Sequence, residues 1–221
     1  MAQYAIELHG LTKRFGAVVA NDGIDLNVRK GEILALLGEN GSGKTTLMNM
    51  LSGIYQPDAG EIYLAGKKAN IRSPQEAISL GIGMVHQHFK LVDVFTARQN
   101  IMLGAGAHLR IQPEQLCEQF GFHLDLNKKI YDMSVSEKQT VEIIKVLCRG
   151  ADLLILDEPT AVLTPQEITT LFEILRKMRS EGHAVIIITH KLDEVLAVSD
   201  RVTVLHKGKS VATVNTAETD E

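Results

Sequence analysis

Apolar residues along this chain gather in short runs that switch between two periods. Near the N-terminus, Tyr4–Leu8, Ile24–Val28 and Glu32–Leu37 read as short strands, and the last ends against Gly38. Leu47, Met50 and Leu51 then recur at helical spacing, which predicts a helix over Lys44–Leu51. Strand signals return at Glu61–Leu64 and Ile82–His86. The stretch Phe95–Arg149 reads as helical, with Pro113 placed to start a helix and Gly121 to end one. Beyond it come a fully apolar strand at Leu153–Leu156, a helix at Pro165–Ser180 and another apolar strand at Ala184–Thr189. Strands without polar alternation imply a parallel sheet covered on both faces, and alternating strands and helices imply an α/β fold. The helical middle reads as a lobe inserted into that core.

The 221 residues, 45% of them hydrophobic, suffice for one large domain with a sizeable core. The net charge of −4, no strongly basic stretch and no Trp give no electrostatic or stacking basis for a nucleic-acid surface. Cys117 and Cys148 are far apart and match no metal spacing, so free thiols are expected. Met1–Leu8 lacks the pattern of a signal peptide, and no apolar run reaches the ~18–20 residues of a membrane span. Any membrane role would run through a partner.

The segment Gly38-Glu39-Asn40-Gly41-Ser42-Gly43-Lys44-Thr45 fits G-x-x-x-x-G-K-[ST], and it stands between an apolar strand and a helix. Its glycines let the backbone wrap a phosphate with N–H groups pointing inward, and the helix adds its positive end. Lys44 can reach the β- and γ-phosphates of ATP, and the Thr45 hydroxyl can ligate Mg²⁺. The second element is Leu153–Leu156 followed by Asp157-Glu158: a buried strand that delivers two carboxylates at its C-terminal end, where open parallel sheets bind ligands. Asp157 can hold Mg²⁺, and Glu158 can take a proton from an attacking water. His190 and Gln87 each follow a predicted strand in the same manner. His190 reads as a γ-phosphate contact or a structural His, and Gln87 as a ligand of Mg²⁺ or water or a plain surface residue. Phe15 reads equally as an adenine-stacking ring or a core residue.

Taken together, Phe15, the loop Gly38–Thr46, Gln87, Ser134-Val135-Ser136-Glu137-Lys138-Gln139, Asp157-Glu158 and His190, in this order, closely resemble the nucleotide-binding domain of ATP-binding cassette (ABC) transporters. The resemblance covers nearly the whole chain. It implies a P-loop NTPase core with a mainly parallel sheet, an N-terminal antiparallel β subdomain and an inserted helical lobe, the core at about 1–94 and 150–221 and the lobe at about 95–149.

It also implies an ATPase using ATP and Mg²⁺. Glu158, His190, Lys44 and Gln87 would be catalytic. Phe15, Asn40, Gly41, Ser42, Gly43, Lys44, Thr45 and Thr46 would hold the nucleotide, and Thr45, Gln87 and Asp157 the metal. Two such domains pair head to tail in this family, so Ser134, Ser136 and Glu137 would face the ATP of the partner.

The family's signature, Leu-Ser-Gly-Gly-Gln, reads Met133-Ser134-Val135-Ser136-Glu137 here, and Ser136 in place of the second Gly is a departure. Its hydroxyl can replace a contact, or its side chain can crowd the phosphate. The Asp usual in the loop after the Glu appears as Thr164. The stretches 83–89 and 159–165 look most like importers of nucleosides and simple sugars, with His-Gln-His-Phe leaning to nucleosides.

Such a protein sits on the cytoplasmic face of the membrane, with permease subunits as partners and an extracytoplasmic substrate-binding protein acting indirectly. The surface around Phe89–Asn100 would couple to the permease. Those ATPases usually carry two domains in one chain, so this chain, ending soon after Val214, reads as a natural single domain or the N-terminal half of a tandem. The lobe between Gly104 and Ser134 is short for the group. Two other readings remain: a soluble ABC ATPase unrelated to transport, whose usual coiled-coil, zinc or basic insertions are missing, and a nucleotide-binding module with a degenerate signature.

Overall fold

The computed structural model describes residues 3–104 and 109–218. Part of the Met1–Leu8 reading (residues 1–2) and part of the predicted lobe (105–108) lie outside the described residues.

The chain opens with two long strands, β1 (Tyr4–Phe15) and β2 (Val18–Arg29), then β3 (Ile33–Leu37) and helix α1 (Lys44–Leu51). β4 (Ala59–Leu64), β5 (Lys67–Ala69), α2 (Pro74–Ser79) and β6 (Ile82–Val85) follow. The helical stretch comprises α3 (Ala97–Met102), α4 (Pro113–Phe120) and α5 (Val135–Cys148). Then come β7 (Leu153–Asp157), α6 (Pro165–Ser180), β8 (Ala184–Thr189), α7 (Leu192–Val198), β9 (Arg201–His206) and β10 (Lys209–Asn215).

Two sheets result. β2-β1-β4-β5 is antiparallel; β10-β9-β3-β8-β7-β6 is parallel except where β10 closes its edge against β9. The mainly parallel sheet, antiparallel β unit and helical insertion agree with the fold expected from the sequence.

Alternate residues of the parallel strands serve opposite cores, which is why these strands lack polar positions. Leu153, Ile155, Ile186 and Ile188 pack toward α1 and the antiparallel sheet; Leu154, Leu156, Val185 and Ile187 pack toward α5 and α6. Helix ends follow local chemistry. Pro113 takes the first turn of α4, and Gly121 ends it with φ 75°. Thr164, where the resemblance expected an Asp, caps α6 in a capping box with Glu167.

The N-terminal strands are corrected: β1 and β2 run twelve residues each rather than five. Their pairing is broken by register shifts, with glycines of positive φ at Gly10 and Gly23, and this masks the alternation along them. Cys117 is half-buried, Cys148 is buried, and both are free. Burial pushes the Cys117 thiol above its ordinary value and raises that of Cys148 to about 12. Among the described residues, no helix is long and apolar enough to cross a membrane.

Candidate functional site

A cleft of about 610 Å³ opens at the C-terminal edge of β3, β7 and β8. Its lining includes Asn40, Gly41, Gly43, Lys44, Thr45 and Thr46 from the loop at the head of α1, with Gln87, Asp157, Glu158 and His190 from three strand ends. Residues separated by more than a hundred positions in sequence thus meet because parallel strands end on one edge.

The loop is held in shape by close packing. Gly43 has φ 102°, and a Cβ there would lie 2.5 Å from the Ala20 carbonyl. The Asn21 amide donates to the Gly43 carbonyl at 3.2 Å, and Gly208 N–H donates to the Ser42 carbonyl at 3.0 Å. Helix α1 has no side-chain cap and no acidic residue in its first turn, so its N-terminal N–H groups and positive dipole end face the cleft uncompensated. Lys44 is buried, and its ammonium donates to the Gly38 and Glu39 carbonyls at 2.5 and 2.9 Å. Burial lowers its pKa, against the pull of the Glu158 and Asp157 carboxylates. This arrangement suits a phosphate: uncapped N–H groups, a buried ammonium and a loop packed so closely at Gly38 and Gly43 that a Cβ would strike neighbouring backbone.

Facing the loop, Asp157 ends β7. Burial, with the neighbouring Glu158 charge, raises its pKa, and Lys44 pulls it down. Glu158 adopts φ 48°, an uncommon conformation for a residue with a side chain, and its N–H donates to Ile188 O at 3.0 Å. Its Oε1 lies 2.8 Å from Nδ1 of His190, so these two side chains form a direct pair at the cleft. The donor set of Thr45, Gln87 and Asp157 is made of oxygens, which suits a hard cation such as Mg²⁺.

Five predicted residues stand apart from the cleft lining: Phe15, Ser42, Ser134, Ser136 and Glu137. Phe15 is 43% exposed, so it is no core residue, and it packs edge-on against Tyr55 with ring centroids 5.2 Å apart. Ser42 points inward, buried, with a hydroxyl that has no partner. Ser134, Ser136 and Glu137 sit at the start of α5. Ser134 caps that helix: its Oγ accepts from Glu137 N–H at 3.2 Å, and its N–H donates to the Glu137 carboxylate at 2.7 Å. Glu137 is also paired with Lys128 at 2.8 Å. A Ser followed three residues later by Glu is a capping signature, and that signal was present in the sequence.

The cleft also holds residues the sequence did not flag: Val18, Val19 and Ala20 from β2, Ala161, and Lys207-Gly208 from the turn between β9 and β10. A Gly in a turn after a strand marks such a position only when the turn's neighbour is known. Helix α5 reaches the site indirectly: the buried Gln139 amide donates to the carbonyl of Pro159, the residue after Glu158, at 2.9 Å.

Residues 21–161, more than half the chain, match the family model described as ABC transporter. The chain belongs to the ABC transporter family. The nucleoside import ATP-binding protein NupA of Lactococcus lactis is 53% identical over 218 residues, 95% of this chain and 43% of NupA. The guanosine import ATP-binding protein NupO of Bacillus subtilis is 48% identical, over 99% of this chain and 45% of NupO. The glucose import ATP-binding protein TsgD13 of Haloferax volcanii is 45% identical, over 96% of this chain and 46% of its own. This ABC cassette therefore spans less than half the length of the curated relatives it matches.

Among solved structures, an ATP-binding cassette of an ABC transporter in its ADP conformation superposes with a TM-score of 0.87 at 24% identity, covering 96% of this chain and 91% of that one. A dimeric bacterial ABC transporter cassette gives 0.81 at 24% identity, covering 96% and 98%. At that identity they speak for the fold.

Proposed function

We propose that this cassette binds ATP with Mg²⁺ in the 610 Å³ cleft and hydrolyses it to ADP and phosphate, powering an importer of nucleosides or simple sugars. The observation that carries the reading is the Glu158–His190 pair, 2.8 Å apart, facing a phosphate loop whose lysine is buried.

In this reading the α1 N-terminus and Lys44 bind the β- and γ-phosphates, with Lys44 exchanging its two loop carbonyls for phosphate oxygens. Thr45, Asp157 and Gln87 would hold Mg²⁺, which would supply positive charge to offset that of the nucleotide phosphates. Glu158 accepts a proton from the attacking water. His190 holds the Glu158 carboxylate in line through Nδ1 and leaves Nε2 for the γ-phosphate. The adenine lies against the β1–β2 hairpin, with Val18 and Val19 lining the cleft and Phe15 beside its tip.

Ser134 and Ser136 lie outside this cleft, so a second cassette, docked head to tail, supplies them to the ATP of its neighbour. The dimeric cassette with the same fold supports that arrangement. The names of the relatives support import through a permease at the cytoplasmic face of the membrane, and their greater length supports a second cassette within one chain. The division into a core at about 1–94 and 150–221 and a lobe at about 95–149 is proposed with it. The exposed Val94, 65% accessible, lies in the proposed coupling surface. Nucleosides are the preferred cargo, because NupA and NupO, named for nucleoside and guanosine import, are 53% and 48% identical to this chain.

Glu158→Gln tests the reading. Binding of a fluorescent ATP analogue is expected to persist while phosphate release falls about a hundredfold or more. Unchanged turnover would remove Glu158 from its role.

A further inference from the structure

Outside the cleft lies a buried carboxylate with unusually complete partnering. Glu194, the third residue of α7, is 7% exposed. Its Oε1 accepts from Thr160 Oγ1 at 2.5 Å and pairs with Lys191 Nζ at 2.8 Å. Its Oε2 accepts from Thr189 Oγ1 at 3.1 Å, and Thr189 Oγ1 accepts in turn from Lys191 N–H, also at 3.1 Å. Thr160 and Thr189 are themselves buried.

The positions of the two threonines give this cluster its meaning. Thr160 stands two residues after Glu158, and Thr189 immediately precedes His190. The ladder between β7 and β8 reaches its last partners at Asp157 and Ile188, so beyond the Glu158 N–H bond to Ile188 no ladder pairing joins the two loops. Glu158 also holds φ 48°, which persists only where its surroundings enforce it. One carboxylate grips both loops where the sheet stops gripping them. A buried charge is a weak source of net stability compared with apolar packing, whereas a fully satisfied buried network fixes one geometry.

We infer that Glu194 is a positioning residue for hydrolysis: by accepting from Thr160 and Thr189 together, it locks the Glu158 loop to the His190 loop and keeps their side chains paired. This rests on the hydrolysis proposed above. Glu194 does not line the cleft, so its effect falls on the chemical step and not on nucleotide capture at the phosphate loop.

The test uses this cassette with Glu194→Gln, Thr160→Val and Thr160→Ser. Turnover at saturating ATP is expected to fall roughly tenfold in Glu194→Gln and Thr160→Val, with KM and ATP affinity within about twofold of wild type. Thr160→Ser, which keeps the hydroxyl, is expected to stay within about twofold throughout. Thr160→Val leaves Lys191 on Glu194 and decides the matter if Glu194→Gln does not fold. The inference is overturned if Thr160→Val turns over like wild type, if Val and Ser at 160 behave alike, or if KM rises in step with the loss of kcat. An inactive wild-type chain would instead remove the hydrolysis reading, and the positioning role with it.

Discussion

The cleft wall at the head of α1 and the head of α5 are both helix N-termini next to proposed phosphate contacts, but they treat their polar groups oppositely. At α1 nothing from the chain caps the helix, no carboxylate enters its first turn, and the buried Lys44 ammonium leans on two backbone carbonyls. At α5 the helix is closed by its own Ser134–Glu137 capping box, and Glu137 is neutralised by Lys128. The first end is left open for an anion. The second satisfies itself, so what it offers outward is limited to what the cap does not consume. The Ser136 hydroxyl has no hydrogen bond among the described residues, and Ser136 is half-buried.

Lys44→Ala would break the open end, and it carries the largest expected effect. It removes the ammonium while leaving the glycine-shaped loop, so turnover should fall a hundredfold or more, with ATP affinity weakened in the same titration. If affinity held, the α1 N-terminus alone would be holding the phosphates. Ser136→Gly sharpens the other side. A free hydroxyl donating to a partner's phosphate predicts about a tenfold loss of turnover when every copy carries Gly, with single-domain ATP affinity unchanged. A gain of turnover would show that the side chain crowds the phosphate. The smallest effect belongs to Ser134→Ala, which opens the cap. It should lower stability by about 1 kcal/mol, read from denaturant unfolding, with little change in ATP affinity at the cleft.

Much of the fold was legible because the decisive signals are local. β8 and α6 were bounded correctly by an apolar hexapeptide and by Pro165 at a helix start. The cleft's loop, Asp157, Glu158 and His190 were legible for a related reason, since each sits where an apolar strand stops.

What escaped needed distant neighbours. Ala20 and Gly208 matter only because each closes on the loop at 38–46, and nothing in their own segments shows that contact. β1 and β2 read shorter in the sequence than they are, because register shifts break the alternation along them. Glu194 is one of two acidic residues in the first turn of α7, and only the meeting of Thr160 with Thr189 distinguishes it. The family resemblance makes Glu137 a nucleotide contact, whereas its spacing from Ser134 is that of a helix cap, and in the structure it closes the capping box of α5.

The two cysteines offer a practical opening. Thiol reagents attack the thiolate, so Cys148, buried with a pKa pushed up to about 12, should stay unmodified at pH 8 in the native protein. Cys117, half-buried, is the slow but dominant target. A maleimide dye would then enter the wild-type chain at one place, on α4, with no mutagenesis. Fluorescence from that dye would report on this helical region while nucleotide is titrated into a cleft built from other elements.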